Sequence, residues 1–314
     1  MQVFHTPEEV PPEFGPTIVS IGNFDGVHRA HQHVLGEIVA RAKAVNAKSV
    51  AVTFQPHPIR ILRPDNDLKL ITPLGEKLRL LAVTGIDAVL LLPFSRDLSL
   101  MSPHQFAHDI LKMRLHAQEV HEGYNFHFGH KASGNLQTLT EQGREMGFAV
   151  HTYTEMRLRG ENVSSSHIRK LVTEGRVRRA RHLLSRPFYI LSTAGRGRGY
   201  GSKYTVPTIN LARYDELVPE DGVYITRTRV GQECFDSVTN IGNRPTFGAD
   251  SSAIETHLLN FHPLELSAET EVELHFLDRL RDEIKFPSVE ALKEQIGRDV
   301  QKARKYLRRA NRRA

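Results

Sequence analysis

Short apolar runs alternate with amphipathic stretches along the first half of the chain. Apolar runs at residues 17–21 and 49–54 predict buried strands. Further strands are predicted at 88–92, from Glu119 onward, and at 149–153. Between them, apolar residues three and four apart predict helices over residues 33–44 and 76–84, and Ser102-Pro103 begins another. Strands that alternate with helices indicate a doubly wound, Rossmann-like parallel sheet.

The pattern changes after Arg186-Pro187-Phe188, which ends a basic helix. Five short strands are predicted beyond it, at residues 189–192, 222–228, 233–238, 254–259 and 271–276. A terminal helix follows from about Ser288, the predicted N-cap, to Arg308. Antiparallel strands closed by one helix predict a small β-barrel. We therefore predict two domains, residues 1–185 and 186–314.

Composition agrees with a two-domain globular protein. The chain has 314 residues, 39% of them hydrophobic and 25% charged. Cys234 is the single cysteine, so no intramolecular disulfide can form, and its flanks suggest a strand position. Residues 1–6 lack the features of a signal peptide, and no apolar run reaches the length of about 20 residues that spans a membrane. We expect a cytoplasmic protein without a membrane partner. The sequence does not determine its oligomeric state.

The net charge of +6 suits anionic ligands. Much of the positive excess lies at residues 176–181 and from Lys302 onward. Basic helix faces and tails are usually solvated, so we expect no nucleic-acid partner. A basic nucleic-acid-binding regulator is nevertheless kept as an alternative of a different functional class.

The turn after the first predicted strand is the main candidate for chemistry. Its sequence is Gly22-Asn23-Phe24-Asp25-Gly26-Val27-His28, followed three residues later by His31. Backbone N–H groups at the helix start favour an anion, and imidazoles beside them can donate to phosphate oxygens. The turn lacks G-x-G-x-x-G spacing, and no Walker A motif occurs. A zinc site formed by His28, His31 and His33 is the competing interpretation.

Two further segments are suited to phosphates. Ser164, Ser165 and Arg169 lie at the start of another predicted helix. The loop of residues 195–203 contains Gly195, Gly197, Gly199 and Lys203. Glycines let backbone N–H groups approach phosphate oxygens.

Three polar residues follow that loop. Thr208 and Asn210 are two apart, so they share one face of a strand, and their oxygens are ligands of the kind Mg²⁺ accepts. Glu255 could orient or deprotonate an alcohol, or could be an outward residue of an alternating strand.

These motifs resemble bacterial bifunctional FAD synthetases, which combine riboflavin kinase with FMN adenylyltransferase. The likeness to the adenylyltransferase module rests on the turn at residues 22–28 with His31, on residues 123–129 and on 164–169. The likeness to the kinase module rests on Pro207-Thr208-Ile209-Asn210, on residues 240–247 and on 255–259.

The resemblance implies a role for each matching residue. His28 and His31 would contact the ATP phosphates, with Gly22, Asn23, Phe24 and Asp25 forming the nucleotide turn. Ser164, Ser165 and Arg169 would hold phosphates from the opposite wall, and His57 and Asn125 would lie on the FMN side. In the kinase, Thr208 and Asn210 would bind Mg²⁺ and ATP, while Glu255 would activate riboflavin. ATP would be the co-substrate of both steps, and FMN and FAD the products.

The sequence departs from the family pattern at two places. Ala30 replaces the glycine of the usual H-x-G-H motif, and the segment from Gly199 to Pro207 is longer than usual and lacks an L-G-F element. Lys203 lies in that segment and could reach a phosphate. An adenylyltransferase with a weakened, flavin-binding kinase module is therefore the alternative function.

Overall fold

The computed structural model describes residues 1–195, 208–243, 252–262, 267 and 269–311. The chain divides into two compact units, Met1–Ser165 and Ser166–Ala314. The domain boundary near residue 185 stays a prediction.

A six-stranded parallel sheet forms the centre of the first unit. Its strands are β1 (Gln2–Phe4), β2 (Thr17–Ile21), β3 (Lys48–Gln55), β4 (Ala88–Pro93), β5 (Ala117–Gly123) and, later in the chain, β8 (Ala149–Tyr153). Their order across the sheet is β1-β4-β3-β2-β5-β8. The order changes direction on either side of β2, which pairs with both β3 and β5. This is the predicted doubly wound architecture.

Helices cover both faces of this sheet. They are α1 (Arg29–Ala44), α2 (Pro58–Leu62), α3 (Leu74–Val83), α4 (Arg96–Leu100), α5 (Pro103–Gln105) and α6 (Leu136–Met146). One apolar cluster joins α1 and α3 to one face, including Leu35 and Leu81. Another joins α6 and the π-helical continuation of α5, Phe106–Arg114, to the other face. The central strands β2, β3 and β4 are buried on both faces and read as nearly continuous apolar runs, whereas the edge strand β8 is mostly exposed.

Short elements complete the first unit. Two small hairpins pair β6 (His127–Phe128) with β7 (Gly134–Asn135) and β9 (Arg157–Leu158) with β10 (Glu161–Asn162). Turns of 3₁₀ helix lie at Pro7–Glu9, Pro12–Phe14 and His130–Ala132.

The second unit is built on an antiparallel sheet. After α7 (Ser165–Thr173) and α8 (Val177–Leu184) come β11 (Phe188–Thr193), β12 (Thr208–Asn210), β13 (Gly222–Val230), β14 (Glu233–Asn243), β15 (Ser252–Leu258) and β16 (Glu271–Arg281). The strand order is β11-β16-β13-β14-β15-β12. The terminal helix α9 (Val289–Asn311) packs on β14 and β16.

The two outer strands of this sheet meet, so the sheet curls into a barrel. Ala194 and Leu211 form an isolated bridge, and the Gly195 N–H donates to the carbonyl of Asn210 at 2.7 Å. The predicted N-cap of α9 is also present, because the Ser288 hydroxyl accepts from the Ala291 N–H at 3.2 Å.

A group of hydroxyls lies inside the barrel. These side chains are fully buried and joined to one another at 2.7–3.1 Å; they belong to Thr226, Thr228, Ser237, Thr239 and Thr256. Each buried hydroxyl is therefore hydrogen-bonded, as burial of polar groups requires.

Two local expectations needed correction. The predicted sheet had five strands, but β1 adds a sixth by pairing with β4. β1 has only three residues, too few to show a hydrophobic period. The first helix begins at Arg29 rather than His33, so His31 lies inside its first turn. The Ser102 cap is confirmed as a capping box with Gln105.

Candidate active site

The turn between β2 and α1 lies where the strand order reverses. Open α/β sheets bind ligands in the crevice at this switch point, beyond the carboxyl ends of the strands. The turn is tied to the neighbouring strand, since the Gly22 N–H donates to the Val52 carbonyl at 2.9 Å. The predicted phosphate turn therefore lies in the expected part of the fold.

The turn has an unusual backbone that its own side chains support. Phe24, Gly26 and Val27 have φ angles of 48°, 84° and 38°. The Phe24 ring is 3% exposed and packs against Gly22, where a Cβ atom would approach the ring to 3.3 Å. Glycine at position 22 thus allows the ring to fold under the turn. The prediction that Phe24 helps to form the nucleotide turn stays a prediction.

The carboxylate of Asp25 holds the turn to the segment before α3. It accepts the N–H groups of Ile71 and Thr72, each at 3.0 Å, and is 3% exposed. The Thr72 hydroxyl also accepts from the Gly26 N–H at 3.0 Å. These contacts give the Asp25 side chain a positioning role. Its contact with ATP stays a prediction.

His28 and His31 lie together at the start of α1. His28 is the N-cap, and its Nδ1 accepts the His31 N–H at 3.4 Å. The two rings stack with centroids 3.6 Å apart, and Phe24 packs edge-on against His31 at 5.1 Å. The structure therefore brings together the two predicted histidines and the turn that precedes them.

The electrostatics of the pair favour a neutral His31. Burial lowers the pKa of His31 well below its usual value, and the neighbouring His28 and Lys77 lower it further. The His31 Nδ1 is buried and has no hydrogen-bond partner among the described residues. A neutral imidazole carries one N–H, which suits it to donate one hydrogen bond to a phosphate oxygen.

Lys77 is a residue that sequence reasoning missed. It is 7% exposed, and its ammonium donates to the Asn23 carbonyl at 3.4 Å, the Thr53 hydroxyl at 3.2 Å and the Phe54 carbonyl at 3.3 Å. Burial lowers the pKa of Lys77 to about 8, while Asp25 acts in the opposite direction. A lysine between Leu74 and Leu81 on the apolar stripe of a helix was the available signal.

Glu122 is a second missed residue at the switch point. It is the penultimate residue of β5 and is 4% exposed, and its Oε1 accepts the N–H of Ile21 at the end of β2. Burial raises the pKa of Glu122 well above its usual value, although that hydrogen bond acts in the opposite direction. Glu122 thus joins the two strands that flank the crevice.

The serine-rich segment reaches the turn through one hydroxyl. Ser165, the first residue of α7, donates to the Asp25 carbonyl at 2.8 Å. Ser164 and Arg169 are half-buried, and Arg169 belongs to the second compact unit. Their contact with ATP phosphates stays a prediction.

The two residues predicted on the flavin side lie in separate loops. His57 is the N-cap of α2, and its Nδ1 accepts the Ile59 N–H at 3.3 Å. Asn125 is exposed beyond the end of β5, and its carbonyl lies 2.9 Å from Nδ1 of His127. Flavin binding by either residue stays a prediction.

In the second unit, three polar residues form a row across adjacent strands. Asn210 of β12 pairs with Glu255 of β15, which pairs in turn with Asn240 of β14. Thr208 pairs with His257. Because Thr208 and Asn210 are two apart on β12, their side chains lie on the same face of the sheet. The structure therefore brings the two predicted metal ligands beside the predicted base.

Asn240 was not assigned a role from the sequence, although it opens a motif that carried the resemblance. Its position in the row became visible only from the pairing of β14 with β15. Thr208 is exposed, and Asn210, Asn240 and Glu255 are half-buried. Predicted ATP contacts at Gly197, Gly199 and Lys203 lie outside the described residues.

Comparisons with known proteins agree with this arrangement. The family described as FAD synthetase matches residues 10–167, and the family described as riboflavin kinase matches residues 184–307. A protein from Pseudomonas fluorescens named bifunctional riboflavin kinase/FMN adenylyltransferase is 33% identical over 305 residues, which are 97% of each chain. A protein of the same name from Bacillus subtilis (strain 168) is 30% identical over 314 residues, 98% of each chain.

A solved structure has the same fold. The crystal structure of a protein named as a macrolide-efflux protein from Streptococcus pneumoniae superposes with a TM-score of 0.87, at 24% identity, over 96% of this chain and 98% of the other. At that identity the likeness shows the fold alone. None of the helices in the described ranges combines the length and apolar character needed to cross a bilayer. With two family matches that divide its length and relatives that align almost end to end, the chain belongs to the bifunctional riboflavin kinase/FMN adenylyltransferase family.

Proposed function

We propose that this protein phosphorylates riboflavin to FMN and then adenylylates FMN to FAD, with ATP as the co-substrate of both steps. The observation that carries the proposal is the histidine pair at the N-terminus of α1, beside a structured turn at the switch point of the sheet. The row formed by Asn210 and Glu255 supports the kinase step. We expect the protein to work in the cytoplasm, with the boundary between the two domains near residue 185.

In the adenylylation step, a phosphate oxygen of FMN attacks the α-phosphorus of ATP and pyrophosphate leaves. No covalent enzyme intermediate is needed, so positioning and stabilisation of negative charge carry the catalysis. His31, with a lowered pKa, would donate its N–H to a phosphate oxygen, and His28 would contact the same group. The dipole at the N-terminal end of α1 would add to this stabilisation.

Several other residues would stabilise the geometry of this site or bind its substrates. Asp25 holds the turn to residues 71 and 72, and Lys77 donates to the backbone carbonyls of Asn23 in the turn and of Phe54 in β3. The Lys77 ammonium also places positive charge beside the turn, which would attract the polyphosphate. Ser164, Ser165 and Arg169 would bind phosphates from the other side, while His57 and Asn125 would contact the flavin.

In the kinase step, the terminal hydroxyl of the ribityl chain of riboflavin attacks the γ-phosphorus of ATP and ADP leaves. Glu255 would accept the proton of that hydroxyl. Thr208 and Asn210 offer only oxygen ligands, which fit Mg²⁺, and they lie on one strand face beside the Glu255 carboxylate. A bound Mg²⁺ would neutralise charge on the ATP phosphates. Gly195, Gly197, Gly199 and Lys203 would hold the phosphates in this site.

The test uses the purified full-length chain with riboflavin, ATP and Mg²⁺, and in parallel with FMN, ATP and Mg²⁺. Products are separated by chromatography and identified by fluorescence. We expect FMN and FAD from riboflavin, and FAD with pyrophosphate from FMN. Omitting ATP should abolish both reactions.

Two other outcomes would contradict this function. FAD from FMN, with no product from riboflavin, would identify an adenylyltransferase with an inactive kinase module. No turnover of either flavin, together with salt-sensitive binding of DNA or RNA, would identify a nucleic-acid-binding protein.

A further inference from the structure

A compact group of metal-ligating side chains lies on the sheet of the first unit, apart from the residues assigned to catalysis. Glu119 and His121 are two apart on β5, and His151 of β8 pairs directly with His121. All three therefore project from one face of the sheet. The Oε2 of Glu119 lies 3.1 Å from Nε2 of His121 and 3.3 Å from Nε2 of His151.

These distances fit the coordination shell of one metal ion. The three candidate ligand atoms lie within 4.8 Å of one another. Zinc binds imidazole nitrogen and carboxylate oxygen at about 2.0–2.1 Å, and tetrahedral geometry then separates neighbouring ligand atoms by about 3.3 Å. The two measured distances from Glu119 are close to that separation, so a small rotation of the side chains would admit the ion.

Neighbouring residues orient two of the three ligands, Glu119 and His121. Arg41 of α1 donates to Oε1 of Glu119 from Nε at 2.8 Å and lies 2.7 Å away through its NH2 group, which leaves Oε2 facing the histidines. The Nδ1 of His121 lies 2.8 Å from the hydroxyl of Tyr153. Partners of this type on the far side of a ligand fix the histidine tautomer and the direction of its free nitrogen.

The site is also reachable from solvent. Glu119 and His121 are 8% and 5% exposed, whereas half of the His151 side chain is exposed. Two ligands are thus held rigidly in the sheet, and the third lies at the surface, where an ion can enter and water can complete the shell.

We propose that Glu119, His121 and His151 form a binding site for one divalent transition-metal ion of the zinc class, with water in the remaining position. Two imidazole nitrogens select such an ion over Mg²⁺, which prefers oxygen ligands. This site is distinct from the predicted Mg²⁺ ligands Thr208 and Asn210. It does not depend on either proposed activity.

The experiment is isothermal titration calorimetry of the full-length chain, first stripped with EDTA and then titrated with ZnCl₂ in the presence of excess MgCl₂. We expect one zinc site that Mg²⁺ does not occupy. His151→Ala should weaken zinc binding by more than about tenfold, since loss of even an outer-shell partner costs about 10- to 100-fold. Tyr153→Phe should weaken it by about tenfold. Circular dichroism of each variant checks that the fold is retained.

Two histidine controls locate the site. His5→Ala changes an exposed histidine elsewhere in the unit and should leave zinc affinity unchanged. His28→Ala tests the competing location at the start of α1 and should also leave it unchanged. The proposal is overturned if zinc does not bind, if His151→Ala binds it as well as the unmodified chain, or if His28→Ala abolishes binding.

Discussion

His28 serves the local backbone and the proposed chemistry at the same position. Its Nδ1 caps α1 by accepting the His31 N–H, and its ring stacks on the His31 ring. Loss of catalysis in a His28 variant could therefore come from the cap or from the imidazole. Asparagine separates the two, because its side-chain oxygen is a good N-cap but cannot replace the imidazole.

We predict that His28→Ala and His28→Asn both slow FAD formation from FMN by about 100-fold, the typical cost of losing one donor to developing charge. His28→Ala should also lower the free energy of unfolding by about 1 kcal/mol, and His28→Asn should restore it. Steady-state rates and urea unfolding measure the two effects. An Asn variant with full activity would show that only the cap matters.

Buried Glu122 should make the free energy of unfolding depend on pH. The direction of that dependence follows from the effect of burial on its pKa. Its pKa is raised well above its usual value in the folded protein. Its contribution to stability is therefore fully present below the unfolded-state pKa and is lost as the pH rises through the folded-state pKa. Between the unfolded-state pKa and the folded-state pKa, the unfolded chain has released the proton of Glu122 while the folded chain retains it.

We predict that Glu122→Gln, which does not titrate, removes this loss. The free energy of unfolding of the variant, relative to the unmodified protein, should be higher at about pH 8 than at about pH 5. Urea unfolding at both values measures it, with Glu145→Gln at an exposed position as the control. If the free energy of unfolding changes with pH equally in the unmodified protein and in Glu122→Gln, Glu122 does not cause the loss of stability at high pH.

At the scale of elements, the barrel shows how a strand can bury polar residues. Thr256 lies opposite Thr239 on β14, and its hydroxyl is 2.9 Å from that of Thr239 and 3.1 Å from that of Thr228. These side chains are fully buried, so their hydroxyls depend on one another for hydrogen bonds. Removing one of these hydroxyls would leave a buried hydrogen-bond donor or acceptor unpaired.

We predict that Thr256→Val, which keeps the shape of the side chain, lowers the free energy of unfolding by about 1–3 kcal/mol through unpaired hydroxyls. Thr173→Val is the matched control, because Thr173 is exposed on α7 and water can replace its hydrogen bond. Chemical unfolding compares the two variants. Equal effects would contradict a special contribution from the buried hydroxyls.

The predicted elements were most accurate where the hydrophobic pattern was long enough to define a period. Residues 17–21 and 149–153 were predicted as strands and form β2 and β8 with the same bounds. The three residues of β1 were missed, because their position depends on pairing with β4. The π-helical geometry of Phe106–Arg114 was missed as well, since its apolar residues do not distinguish it from an α-helix.

At the scale of the whole molecule, the two candidate sites lie in different compact units. His28 and His31 belong to Met1–Ser165, whereas Asn210 and Glu255 belong to Ser166–Ala314. The proposed histidine pair and the proposed kinase residues are therefore separate sets of side chains. Substituting one of these sets should leave the other reaction nearly unchanged.

We predict that the double variant Asn210→Ala with Glu255→Ala loses FMN formation from riboflavin but retains FAD formation from FMN. His28→Ala should show the reverse, accumulating FMN from riboflavin. Each variant serves as the control for the other, and chromatography of the flavins measures both. Loss of both reactions in either variant would show that the two units do not act independently.

The sequence alone determined the class of each half and singled out the turn at residues 22–28. Hydrophobic period and turn chemistry are local properties, so they can be read from neighbouring residues. The tertiary structure decided which distant residues join them. The order of the strands around β2 brings three pairs of distant residues into contact. These pairs are Lys77 with Asn23, Glu122 with Ile21, and Glu119 with His151. Strand order is set by packing across the whole unit, and no local pattern encodes it.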